Sequence, residues 1–384
     1  MNKIIESFKK RYNSSPSIVT SAPGRLEILG NHTDYNEGFV LSMAVDKSAD
    51  FAVAPTDSKN DICTVYDAKF DEIAQFSLKK LLEHSRGDWI NYIKGVLVEM
   101  QKRGVVIPPF QAVLSSNVPL SAGMSSSAAF EMVVAYAIGK LTKTDFDYRE
   151  WAKIGRDCEN NYVGANTGLL DQISSIKGLK DHLIFTDFRS VDVKNVPIDK
   201  KLSFVVANSM VKHDLTTEYN ERRENCENVA KIFASKYENV TTLRDVTEEM
   251  LEEDSKQLDF IDYKRAKHVI GENRRVLQGI KYLEKKDVTA FGNLMSESHE
   301  SSRINFENSC DELDVLVELG KTLPGHLGAR LSGGGFGGIS VHLVENQHTD
   351  TYCERLATAF KTRTSIEIEP IICIPGDGVK VSVL

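Results

Sequence analysis

The sequence predicts an α+β protein in two domains. Three observations carry that expectation. The chain has 384 residues, more than one hydrophobic core usually organises. Hydrophobic residues make up 41% of it, enough to build sizeable cores and to exclude a mainly disordered chain. Runs with strand character and runs with helical spacing both occur in each half.

Taken in order, residues 1–15 are charged throughout and carry no secretory apolar stretch. Residues 24–29 read as an apolar strand entering a turn, and 39–45 and 110–114 are β-rich. Across 88–103, Trp89, Tyr92, Ile93, Val96 and Met100 fall at helical spacing. Residues 126–140 form an apolar helix that opens directly from a Gly/Ser turn. A buried strand is expected over 202–207 and a charged helix over 218–237. From 246 to 286 the pattern is helical with charges of both signs, the mark of solvated faces over an apolar stripe. Short strands return at 338–344, 365–372 and 378–383. No composition break marks a boundary, and the division is placed at residue 200, giving domains 1–200 and 201–384.

Composition also excludes several functions. A net charge of −8 gives no general attraction to nucleic acid or to an anionic membrane. No apolar run approaches the roughly 18 residues of a spanning helix. The six cysteines, at 63, 158, 226, 310, 353 and 373, include no CxxC pair, and the nine histidines include no HxxxH or HExxH grouping. Reduced thiols in a cytoplasmic protein are expected, rather than a disulfide scaffold or a zinc site.

Four stretches point to chemistry. Pro119-Leu-Ser-Ala-Gly-Met-Ser-Ser-Ser-Ala-Ala129 precedes the apolar helix. Small residues let backbone N–H groups approach an anion at a helix N-terminus, and serine hydroxyls suit phosphate or Mg²⁺. A serine-rich helix cap would look the same, and neither Walker A nor GxGxxG spacing is present. Gly325-His-Leu-Gly-Ala-Arg-Leu-Ser-Gly-Gly-Gly-Phe-Gly-Gly338 is glycine-dense just before a strand, as backbone packed close to a ligand or another segment requires. Gly24-Arg-Leu-Glu-Ile-Leu-Gly-Asn-His-Thr-Asp-Tyr-Asn36 runs a strand into a polar turn. That turn is either an Asx-rich bend or a set of donors and acceptors for sugar hydroxyls, with Arg25 available to steady anionic charge. Glu159 and Asp171 flank a Gly-containing turn, one able to hold Mg²⁺ and one to accept a proton; each could also be an ordinary surface acid. A fifth piece, 208–219, would bring the Tyr219 hydroxyl into a cleft or bury it.

Together and in this order, the pieces resemble the galactokinases and their GHMP-kinase relatives, over about residues 21–341. Residues 24–36 resemble the signature Gly-Arg-Val-Asn-Leu-Ile-Gly-Glu-His-Thr-Asp-Tyr, and 119–129 resemble the Pro-Leu-Gly-x-Gly-Leu-Ser-Ser-Ser-Ala phosphate loop. Residues 159–172 resemble the magnesium-glutamate and aspartate segment, and 328–338 the Gly-Ala-Arg…Gly-Phe-Gly-Gly motif. The resemblance implies a GHMP kinase fold, ribosomal-protein-S5-domain-2-like in its N-terminal part and ferredoxin-like in its C-terminal part. It implies ATP-dependent phosphorylation of a sugar, galactose first, at the anomeric hydroxyl, by a monomer whose partners are the sugar and ATP. Asp171 would take the hydroxyl proton and Arg25 would steady the transition-state charge. Ser127 and Glu159 would hold Mg²⁺. Ser121, Ala122, Gly123, Met124, Ser125, Ser126 and Ser127 would cradle the ATP phosphates, and Asn31, His32, Thr33, Asp34, Gly168 and Tyr219 would contact the sugar. With a net charge of −8, the positive potential for the nucleotide must be local.

The chain departs from the signature at two positions. Asn31 stands where the signature has Glu, and Glu27 stands where it has Asn. An amide donates as well as accepts, so the sugar corner at Asn31 would be read differently, and a kinase for another hexose or hexosamine is the alternative. A non-catalytic sugar sensor is a second alternative; Ser127, Glu159 and Asp171 argue against it. Ser121 replaces a glycine and Met124 a leucine of the phosphate loop, the latter a volume-conserving exchange.

Overall fold

The computed structural model describes residues 2–57, 61–83, 89–119, 123–165, 167–211 and 216–384. Twelve strands are described: β1 (Ile18–Leu29), β2 (Phe39–Pro55), β3 (Ile62–Asp67), β4 (Glu72–Ser77), β5 (Phe110–Ser116), β6 (His182–Asp187), β7 (Asp192–Pro197), β8 (Leu202–Asn208), β9 (His326–Ser332), β10 (Ile339–Glu345), β11 (Ile371–Cys373) and β12 (Lys380–Val383). Helices α1 (Asn2–Tyr12), α2 (Ile90–Lys102), α3 (Ser126–Thr142), α4 (Tyr148–Asp157) and α5 (Leu170–Lys177) belong to the first half. The second half adds α6 (Thr216–Ala234), α7 (Glu248–Glu253), α8 (Phe260–Glu284), α9 (Val288–Ser301), α10 (Asp311–Gly320) and α11 (Thr349–Thr364).

The larger sheet runs β12-β1-β2-β5-β3-β4, with β6 paired to the start of β2 and β7 paired to β6. The smaller sheet is β11-β8-β10-β9, antiparallel throughout. β2 runs well past the expected 39–45 because it serves two partners: residues 39–42 pair with β6 and residues 49–55 with β5. Its polar middle, Asp46-Lys47-Ser48, lies where the strand passes from one partner to the other. One apolar core joins the two sheets, from Leu26 and Met43 through Val276 and Phe291 to Ile339 and Leu343. α1 closes the opposite face through Ile4 and Phe8 against Val19, Ala52 and Val113.

Three expectations are corrected. The strand expected over 365–372 begins only at Ile371, because Pro370 has no N–H for the ladder; Ile366 and Ile368 pack sideways onto the core beneath α11 instead. The helical run 246–286 is broken, since Asp259 caps α8 by accepting from the Asp262 N–H and so ends what precedes it. The last strand departs from the division at residue 200: β12 leaves the second half and pairs Val19 with Ser382 and Thr20 with Val381 on β1.

Candidate active site

β1 is irregular at two points, between Pro23 and Arg25 and between Glu27 and Leu29. Bulges re-aim side chains, and here Arg25 and Glu27, two residues apart, both face one cavity of about 420 Å³. At the first irregularity the strand meets the phosphate loop. The Arg25 N–H donates to the Met124 carbonyl at 2.9 Å, and a Cβ on Gly24 would sit 2.5 Å from that same oxygen. Only glycine permits this approach.

Asp171, in the first turn of α5, lies beside that junction. Arg25 grips it bidentately, Nε donating to Oδ1 at 2.7 Å and Nη2 to Oδ2 at 2.9 Å, while Nη1 donates to the Gly123 carbonyl at 2.6 Å. The Ser125 hydroxyl also donates to Asp171 Oδ2. Ser125 itself is left-handed, at φ 50°, immediately before α3. Gly123 has φ +62° and lies against Ile339 of the second sheet, which a Cβ would meet at 2.9 Å. The loop is therefore wedged between the two sheets. Met124 is buried in the core and contributes its backbone, whereas Ser126 and Ser127 line a neighbouring cavity. Ser121 and Ala122 lie outside the described residues.

Across the cavity stand the residues of the polar turn. His32 is buried, and burial draws its imidazole down to about 4, so the ring is neutral. Nε2 faces the Gly334 carbonyl at 3.1 Å and Nδ1 the Tyr35 hydroxyl at 2.9 Å; a carbonyl can only accept, which assigns the proton to Nε2. Asp34 lines the cavity, and burial, then the charges of Glu27 and Asp171, push its carboxyl up to about 6. A Cβ on Gly168 would lie 2.6 Å from Asp34 Oδ2, so glycine is required to leave that oxygen its place. Tyr219 lines the same cavity, its ring 5.2 Å from that of His32 and its hydroxyl pushed well above the usual range by burial. Thr33 is corrected as a sugar contact. It is fully buried, and its hydroxyl faces the carbonyls of Gly30 at 2.8 Å and Phe39 at 2.6 Å, which shapes the turn. Asn31 is buried, with both amide hydrogens and the amide oxygen engaged by protein groups.

Glu159 follows α4 in a π-helical turn, Cys158–Val163, a wider ring that often marks functional positions. It is buried, and burial followed by Asp171 raises its carboxyl. Thr167 Oγ1 donates to its Oε2 at 2.6 Å, and the hydroxyl of Ser127 bonds it as well. The Gln172 amide bridges Glu159 Oε2, at 3.2 Å, and Glu131 Oε2, at 2.9 Å. Beside Ser126 and Ser127 opens a cavity of about 340 Å³ lined by Phe70, Trp89, Tyr92 and Phe130. The largest cavity described, about 790 Å³, lies elsewhere among α7, α8 and α9. Its charged lining is partly paired internally, as in Arg274–Glu248, and it includes neither the phosphate loop nor Asp171.

The structure thus brings together Arg25, Asp34, Gly168, Asp171 and Tyr219 around one cavity, with His32 and Asn31 in its wall, and places Ser127 and Glu159 side by side. Sequence reasoning singled out Glu27 only as a departure from the signature, not as a cavity residue, and missed Gln172 and the aromatic cavity. Glu27 shares the face of Arg25 by the period of two along a strand, a signal that was available. Trp89 and Tyr92 sit at helical spacing and read equally as core.

Three family models match the chain: the galactokinase galactose-binding signature over residues 6–55, the GHMP kinase N-terminal domain over 91–179 and the GHMP kinase C-terminal domain over 280–360. Curated galactokinases are similar along nearly the whole chain. That of Glaesserella parasuis is 39% identical, covering 97% of each chain, and that of Roseiflexus sp. is 36% identical, covering 97% of this chain and 95% of its own. Among solved structures, Lactococcus lactis galactokinase complexed with galactose superposes with a TM-score of 0.90 at 26% identity, covering 98% of each chain. The mevalonate kinase of Methanococcus jannaschii shares the fold alone, with a TM-score of 0.63 at 17% identity, covering 95% of this chain and 99% of its own. The expected two-part GHMP kinase fold is the fold observed, and the chain belongs to the galactokinase family of GHMP kinases.

Proposed function

We propose that this protein transfers the γ-phosphoryl group of ATP to the anomeric hydroxyl of galactose, giving galactose 1-phosphate and ADP. The observation that carries this is the Arg25–Asp171 pair, set where the polar cavity meets the phosphate loop. Asp171 Oδ2 already accepts from Arg25 and Ser125, whereas Oδ1 accepts, among the described residues, from Arg25 alone. Each carboxylate oxygen has two lone pairs, so Oδ1 retains one for the sugar hydroxyl. As the hydroxyl oxygen bonds to the γ-phosphorus, the bond from phosphorus to the β–γ bridging oxygen breaks, and the hydroxyl proton passes to Asp171. Arg25, fixed by its two partners, needs no reorganisation to meet the charge that develops.

His32, Asp34, Gly168 and Tyr219 would hold the sugar, with Gly168 acting by leaving space for Asp34. Residues 121–127 would cradle the phosphates, and Phe70, Trp89, Tyr92 and Phe130 offer faces for the adenine. Ser127 and Glu159 fit Mg²⁺. The donors are hard oxygens, and two protein ligands suit an ion that keeps water and phosphate oxygens as its others. Bound there, the ion supplies charge neutralisation to the β- and γ-phosphates. Thr167 and Gln172 orient Glu159 toward that position. The cavity is assembled within one chain, which supports a monomer, and the free cysteines suit the reducing cytoplasm.

The test is turnover of a hexose panel with ATP, reading ADP release and placing the new phosphate on C1 by ³¹P NMR. Galactose should be the preferred substrate. A rate with galactose no better than with other hexoses would overturn the assignment. Asp171→Asn should lower kcat by roughly 10²–10⁴-fold, the range of general acid–base catalysis, and full turnover in that variant would remove Asp171 from the proton step.

A further inference from the structure

Resting on the galactokinase reading, we propose that Glu27 is the residue that selects the sugar, its carboxylate Oε2 accepting a hydrogen bond from a sugar hydroxyl. Asn31 acts behind it as a support rather than as a sugar contact.

The hydrogen-bond capacities of the two side chains separate these roles. Asn31 has two amide hydrogens, and both are taken, one by Glu27 Oε1 at 2.9 Å and one by the Gly333 carbonyl at 2.8 Å. Its Oδ1 accepts from Asn308 Nδ2 at 3.0 Å, and the residue is 1% exposed. Glu27 Oε1 is likewise filled, by Asn31 and by Arg330 Nη2 at 3.1 Å. Glu27 Oε2 accepts nothing from the described residues. Its side chain is only 6% exposed, yet it lines the cavity with Arg25, Asp34 and Asp171. Opening onto the cavity, Oε2 keeps both lone pairs free of the described residues, and a sugar hydroxyl is the donor that this cavity would admit.

Glu27 is also held still. Its N–H donates to Ser332 Oγ at 3.1 Å, and that hydroxyl donates to the Glu27 carbonyl at 3.0 Å, which pins β1 to β9 at this residue. Arg330 is completely buried, its Nε and Nη1 have no hydrogen-bond partner among the described residues, and Glu27 is the carboxylate it bonds. Turning Glu27 away would strand a buried guanidinium. The exchange of Glu and Asn between positions 27 and 31 is thus an exchange within one hydrogen-bonded pair. It leaves a carboxylate at the cavity, presented from the strand instead of from the turn.

The test measures galactose and its monodeoxy analogues as substrates of the wild-type chain and of Glu27→Gln, which keeps size but puts an N–H where Oε2 was. The double variant Glu27→Gln/Arg330→Met removes both charges and serves if the single variant folds poorly. The variants should raise the KM for galactose by roughly 10- to 100-fold, as loss of a hydrogen bond to a charged group does, with the KM for ATP unchanged. One deoxy analogue, penalised in the wild type, should lose its penalty in the variants while the other analogues keep theirs. A purely structural role would not move one analogue selectively. If all deoxy penalties persist in both variants, Glu27 is not the selecting residue, and the galactokinase reading stands. Absence of galactose turnover in the wild type would overturn that reading itself, and the inference with it.

Discussion

Asp34 and His32 sit on one turn, two residues apart, and burial moves their ionisations in opposite directions. Burying a charge disfavours it whatever its sign; the carboxyl therefore rises to about 6 and the imidazole falls to about 4. Below pH 6 Asp34 is a neutral acid, and above it a carboxylate able to accept from sugar hydroxyls. The kcat/KM for the sugar should therefore fall as pH drops through about 6, and a pH–rate series on Asp34→Asn should lack that limb. Because kcat/KM reports the free enzyme, His32 should add no ionisation of its own between pH 5 and 8. Most of the site was legible at this scale, since Arg25, His32, Asp34, Glu159 and Asp171 stand in recognisable runs. The roles of Asn31 and Thr33 were not, because what engages Asn31 comes from Gly333 and Asn308, far along the chain. A side chain's polarity is visible in a sequence, but whether its hydrogen bonds are already filled is not.

At the scale of elements, the carboxylate of Glu159, proposed to hold the metal, depends on α2, which also carries Tyr92 into the aromatic cavity. Gly95 of α2 lies against the π-helical turn that presents Glu159, where a Cβ would come within 2.5 Å of Cys158 Sγ and 3.1 Å of Tyr162 Cβ. Gly95→Ala should displace that turn. We expect a loss of about 1–3 kcal/mol of stability, typical of overpacking, in thermal or urea unfolding, with a raised KM for Mg-ATP and little change in sugar affinity. An unaltered Mg-ATP titration would show that neither Glu159 nor Tyr92 depends on the packing of Gly95. The helices themselves were legible from periodicity, as α2 and α3 illustrate. Two boundaries were hidden for physical reasons: Pro370 delays a strand whose alternating isoleucines suggest an earlier start, and Asp259 caps a helix inside a run that reads as helical throughout.

For the whole molecule, charge and connectivity matter most. Under the proposed function, a chain of net charge −8 must attract its nucleotide locally, through Arg25, the N-terminus of α3 and the Mg²⁺ that Ser127 and Glu159 would hold. The halves cohere because Gly123 lies on Ile339 and Ser332 binds Glu27, contacts no local pattern could announce. The return of β12 to β1 was equally invisible, since its valines alternate as they would in either sheet. Deleting residues 380–384 should lower the unfolding temperature and promote aggregation, because it bares the edge of β1 from Ile18 to Ser21. Galactose turnover at low temperature should persist, for that edge precedes the bulge that carries Arg25. Calorimetry and light scattering would check the first two outcomes, and a kinase assay the third.

That closing strand also bears on how the protein is made. A chain emerging from the ribosome at roughly 5–20 residues per second releases β1 long before its outer neighbour β12. Val19 cannot meet Ser382 until the ribosome has gone on to release residue 382, and contacts so distant in sequence are slow to form. From the release of β1 until that of β12 the nascent protein therefore carries an open strand edge, the time at which a holding chaperone would serve it best.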